Sequence, residues 1–120
     1  MPPKKKSRRL SRAQVVRLVE LCMGEVNNGG FNQFFYNSTG NETAEIIQAL
    51  ETIGARKLAD IVKRAAAKFP GGRPPKDRLT RGRLLQRIDP AIKVFERLDK
   101  EFFLTPDDWE GRLEKYAGWV

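Results

Sequence analysis

Apolar side chains recur along this chain at spacings of three and four residues, and nowhere do they alternate one by one. Val15, Leu18, Val19, Cys22 and Val26 form the first stripe, which predicts a helix over about 12–26 with Ser11 as its N-cap and Arg17 and Glu20 on the outer side. Asn27-Asn28-Gly29-Gly30 should end it, because Asn and Gly tolerate the left-handed conformation that closes helices. Phe31 to Asn37 is short and reads as a brief helix or turn, and "STGN" follows as a breaker. Ile46, Ile47, Leu50 and Ile53 predict a helix over about 42–53 ending at Gly54, and Leu58, Ile61, Val62, Ala65 and Phe69 predict the next, ending at Pro70. The two form a helical hairpin with a minimal turn.

"PGGRPPKDR" is the one substantial linker. Beyond it, Leu79, Leu84, Leu85 and Ile88 suggest a short helix. Asp89-Pro90 then reads as an N-cap with proline at the first helical position, opening a helix that carries Ala91, Val94, Phe95, Leu98 and Phe102 to about residue 103. Thr105-Pro106-Asp107-Asp108 repeats the device, with two acids in the first turn of a last helix lined by Trp109, Leu113 and Tyr116. The expected fold is all-α, a single compact domain of about six or seven helices spanning 12–120, behind a basic tail, 1–11, that holds too little apolar surface to offset its ordering entropy.

Composition narrows the chemistry. The 120 residues suit one domain with one core, and no apolar run approaches the roughly 20 residues that span a bilayer. No apolar segment follows the basic start, so an intracellular, cytoplasmic protein is expected. One cysteine and no histidine leave the usual zinc ligand sets and the commonest general base without candidates. No metal, cofactor or catalytic residue is therefore expected, and an enzyme is disfavoured. Cys22 lies on the apolar stripe, where a cysteine acts as a small hydrophobe. "FPGGRPPK" has neither the Lys-Ser/Thr ending nor the preceding strand of a phosphate loop and reads as a surface connection.

The net charge of +8 is unevenly placed. Residues 1–12 carry Lys4, Lys5, Lys6, Arg8, Arg9 and Arg12 without an acid, and residues 56–87 hold eleven bases against Asp60 and Asp77. The tail is either a phosphate-binding arm or a solubilising end. Lys57, Arg64 and Lys68 fall together on one helix face and extend the nucleic-acid candidates, with Lys63, Arg73, Lys76, Arg78, Arg81 and Arg83 as further members of the band. Conversely, Asp99, Glu101, Asp107, Asp108, Glu110 and Glu114 outnumber Lys100 and Arg112 over 99–114, which makes them candidates for contact with a basic protein partner or, alternatively, a solvated helix face.

"NNGGFNQFFYNSTG" and the stretch after it support a family reading. Asn28, Gly29, Gly30, Phe31, Gln33, Phe34, Phe35 and Asn37, followed by Ala49-Leu50, Ile53-Gly54-Ala55 and Phe69-Pro70, resemble the pattern of the DNA mimic protein family, small bacterial helical domains. "LDKEFF" and "LEKYAGWV" are also of that family's kind. The resemblance implies a helical fold and a non-enzymatic role in binding a protein, including a DNA-binding one. A DNA mimic needs a strongly negative field, yet residues 13–120 sum to +2, so the acidic mimic surface is not retained here. The alternative function is a nucleic-acid-associated protein that grips the phosphate backbone through its tail and central band. For the signature itself, Phe31, Phe34 and Phe35 are expected in the core, with Asn28, Gln33 and Asn37 satisfying helix ends.

Overall fold

Why the chain makes helices is visible at their ends. In a computed structural model that describes residues 9–119, Ser11 accepts from the Gln14 N–H at 3.1 Å while the Gln14 side chain accepts from the Ser11 N–H at 2.8 Å, a reciprocal capping box that opens α1, Arg12–Tyr36. A short 3₁₀ turn, Ser38–Glu42, leads to α2, Thr43–Thr52, and α3, Arg56–Ala66. Gly54, at φ +85°, closes α2, with its N–H on Glu51 O and the Ala55 N–H on Leu50 O, the paired bonds of a Schellman motif. After the linker come α4, Arg78–Ile88, α5, Glu96–Leu104, and α6, Trp109–Ala117. The described residues hold six α-helices and no strand, and no helix among them is long and apolar enough to cross a membrane.

The sequence stripes become the core. Val15, Leu18, Val19 and Cys22 of α1 lie in one core with Ile46 and Leu50 of α2, which packs on α1, and with Leu58, Ile61 and Val62 of α3, which packs on α2. Phe31, Phe34 and Phe35 join this core through an aromatic cluster. Phe35 meets Phe69 at 4.8 Å and Phe95 at 5.5 Å between ring centroids, and Phe31 meets Phe102 edge-on at 5.5 Å. Such edge-to-face pairs add to the stabilisation from area burial alone.

Four features differ from the sequence reading. The first helix does not end at Asn27: helical backbone resumes immediately after Gly30, whose φ of 73° and ψ of −170° break α1 at a single residue. The expected helix over 91–103 begins only at Glu96, because Asp89 turns inward and Ile92 adopts φ 54°, which no α-helix accommodates. Consequently Ala91 and Val94 are exposed, and Phe95, Leu98 and Phe102 alone form the buried stripe of that region. Of the acid pair before α6 only Asp108 caps it, accepting from the Gly111 N–H at 3.2 Å, whereas Asp107 serves another helix. At the other end, Leu10 packs against the core and Ser11 caps α1, so structure starts within the expected tail, whose Lys4, Lys5, Lys6 and Arg8 lie outside the described residues.

Candidate binding surface

The signature segment is built around the Gly30 break. At φ 73° an L side chain would be strained, and a Cβ there would overlap the Asp99 carboxylate. That carboxylate reaches from α5 to accept the Phe31 N–H at 2.8 Å, capping the resumed part of α1 from 68 residues away. Partial burial pushes the Asp99 pKa up, the Phe31 N–H opposes this, and the nearby charges of Asp89 and Glu96 add to the rise. Outside the break, Gln33 donates to Glu25 at 2.7 Å, Asn37 donates to the same carboxylate at 3.2 Å, and Asn28 donates to Gln33 at 3.3 Å. The three amides thus brace one another across the break through Glu25, and the helix ends are capped by other groups. Phe31, Phe34 and Phe35 are fully buried.

The C-terminal end of α1 is held by a residue that the charge pattern concealed. Arg81 is 0% exposed, and it donates to Phe35 O at 2.7 Å, Asn37 O at 2.8 Å, Pro75 O at 2.8 Å and Lys76 O at 3.1 Å. Burial pushes its pKa down, the neighbouring Arg78 charge acts in the same direction, and Asp77 opposes. Carbonyls at a helix C-terminus favour a cation, and Arg78 supplies a second one, donating to Tyr36 O at 3.0 Å. Arg81 therefore leaves the surface band proposed from sequence. A Cβ on Gly40 would overlap its guanidinium, which explains the glycine there. Spacing held the clue: Arg81, Leu84, Leu85 and Ile88 fall at the three-and-four spacing of an apolar stripe, so an inward-facing arginine was legible.

The six candidate acids do not form one face. Asp107 is buried at 6% exposure, accepts the Lys57 and Leu58 N–H groups at 3.1 and 3.3 Å to cap α3, and pairs with Arg112 at 3.1 Å. Asp99 is engaged as described, and Asp108 caps α6. Glu101 takes both terminal nitrogens of Arg64, one at 3.0 Å, and the charged bond holds its pKa below the usual carboxylate range. Glu110 and Glu114 stay exposed on α6. Among the basic candidates, Arg64 is tied to Glu101 and to Asp60 at 3.0 Å, whereas Lys57, Lys68, Arg9 and Arg12 are exposed.

Beside the break lies an open groove of about 980 Å³, lined on the α1 side by Val26, Asn28 and Gly30 and on the α5 side by Lys100, Phe103 and Leu104. Phe103 and Leu104 are 76% and 68% exposed, high values for large apolar side chains, although both belong to the helix that carries Asp99. The family model for DMP19-like proteins matches residues 8–118. The chain belongs to this family. The match takes in the signature, the Arg81 clamp and the groove, and it agrees with the resemblance to DNA mimic proteins carried by residues 28–37. Searches of the curated proteins and of the solved structures find no match. Among the described residues no group of His, Cys, Asp and Glu is arranged to hold a metal ion. Cys22 is fully buried, and desolvation pushes its thiol up to about 12, which leaves it without nucleophilic thiolate at neutral pH.

Proposed function

We propose that this DMP19-like protein acts by binding another protein, without catalysis, in the cytoplasm of a bacterial cell, and that a DNA-binding protein is the kind of partner to expect. The groove at the Gly30 break carries this reading: a concave, largely apolar surface flanked by Phe103 and Leu104 is the form that interaction sites take. Contact through this groove suits a chain of net charge +8 better than an acidic array does, since Asp99, Glu101, Asp107 and Asp108 are engaged within the fold. Pull-down from native cell extract tests it. The wild-type protein should retain a specific partner that Phe103→Ser with Leu104→Ser loses at unchanged melting temperature. Retention by the double variant, or turnover of a nucleotide or ester by the purified protein, would contradict the reading.

A second reading is favoured by the exposure of Lys57 and Lys68: the central band, together with the tail lysines, contacts a phosphate backbone. Gel-shift titration with and without residues 1–12 distinguishes it, because phosphate contacts weaken steeply as salt rises.

A further inference from the structure

A cavity of about 310 Å³ lies between the first turns of α2 and residues 72–76 of the linker, with Asn41, Ala44, Ile47, Ala66, Pro74 and Lys76 along it. We propose that this cavity binds a free α-amino acid with an apolar side chain. The inference goes beyond the protein-binding reading above and does not depend on it.

Two buried acceptors point to a ligand. Asn41 Oδ1, on the cavity wall, and Glu45 Oε1, four residues further on, have no hydrogen-bond partner in the protein. Buried polar atoms are paired in nearly all folded proteins, so these two oxygens call for an N–H donor from outside the chain. The other Glu45 oxygen is already taken by Lys76 Nζ at 3.1 Å. A primary ammonium suits the unpaired oxygens, because it offers three N–H donors and a charge that strengthens its bond to a carboxylate.

The remaining walls describe the rest of the ligand. Ala44, Ile47, Ala66 and Pro74 ask for an apolar body, and Arg73 and Lys76, both exposed, bring positive charge to the same cavity. Arg73 makes no ion pair among the described residues. Lys76 beside Glu45 therefore sets a cation and a carboxylate next to one another, and an α-amino acid carries the opposite pair on a single carbon. Its ammonium meets Asn41 and Glu45 while its carboxylate meets Lys76 and Arg73. An alkylamine would leave the two cations without a counter-charge, and a plain carboxylic acid would leave the two acceptors without a donor. The volume is at the small end of ligand sites and suits one residue.

Both ends of the linker wall are fastened, so the cavity is formed in advance. Gly71 and Gly72, each at φ 69°, turn the chain after Phe69, and the Gly72 N–H donates to Phe69 O at 2.8 Å. At the far end the Arg81 guanidinium donates to Pro75 O at 2.8 Å and to Lys76 O at 3.1 Å.

Calorimetric titration of the full chain with L-leucine tests the assignment. Leucinamide, which lacks the carboxylate, and N-acetyl-leucine, which lacks the ammonium, are the paired controls. Adenosine monophosphate, with an amino group and an anion on a larger body, is the third. L-leucine should bind saturably, and each of the two derivatives should bind at least about 10-fold more weakly. Ala44→Phe, at an exposed position of α2, fills the cavity and should weaken leucine binding by about 10-fold or more at unchanged melting temperature. Asn41→Ala removes an acceptor that the fold leaves unpaired, and should weaken binding by about 10-fold without lowering the melting temperature. Absence of saturable binding, equal binding of either derivative, or binding that survives Ala44→Phe or Asn41→Ala would overturn the proposal. Tighter binding of adenosine monophosphate would assign the cavity to a nucleotide and overturn it as well.

Discussion

The two halves of this molecule share one core but differ in the balance of apolar and charged contacts that hold them. From Ser11 to Phe69, α1, α2 and α3 enclose a continuous apolar core of Val15, Leu18, Ile46, Leu50, Leu58 and Val62. From Lys76 onward, α4 buries only Arg81 and Leu85, and α5 only Leu98 and Phe102. This later half adds Phe95, Phe102 and Leu113 to that core and is also tied on by charged side chains that end the earlier helices: Arg81 at the end of α1, Asp99 at its restart after Gly30, and Asp107 at the start of α3. In each case the sign matches the helix dipole, acid at an N-terminus and cation at a C-terminus. The difference teaches that a chain with little left to bury can still dock its second half by satisfying the backbone groups that the first half leaves open.

Substitutions should separate the two modes. In the apolar half, Phe34→Ala should cost about 3 to 5 kcal/mol through lost burial and the cavity left behind, read as a shift of the denaturant midpoint. In the docked half, Arg81→Met should cost about 2 to 4 kcal/mol, because several backbone carbonyls lose their donor while little volume is lost. Near-neutrality there would break the comparison. At the junction, Gly30→Ala combines a positive φ with overlap on Asp99 and should cost about 1 to 3 kcal/mol. The smallest effect concerns pH. A carboxyl whose pKa is raised on folding favours the folded state most below the ordinary aspartate range and loses that contribution as pH rises through its elevated value. Melting temperature should therefore fall slightly across mildly acidic pH in the wild type, and Asp99→Asn should flatten that segment of the profile.

This division also explains what could be read from sequence. Stripes such as Leu58, Ile61, Val62 and Ala65 act within one helix, so periodicity reveals them. The docking contacts join residues 44 to 68 apart, and no local pattern connects Arg81 to Asn37 or Asp99 to Phe31. What sequence offered was weaker: Arg81 lies on a stripe with Leu84, Leu85 and Ile88, and Asp99 lies on one with Phe95, Leu98 and Phe102. A charge on a stripe marks an inward partner, and the basic band and the acidic run obscured both. Likewise Asp89-Pro90 has the signature of a helix start, yet the Asp89 side chain closes a turn and leaves Ile92 in the left-handed region. The groove at Gly30 stayed hidden because Phe103 and Leu104 continue the apolar character of α5 but lie off its buried face.

Amide hydrogen exchange on Arg81→Met tests the docking account most directly, since protection reports the stability of each segment separately. The account predicts a selective loss of protection in α4 and in the last turn of α1, with α2 and α3 retaining most of theirs. Protection that falls evenly through all six helices, or that stays unchanged in α4, would contradict it.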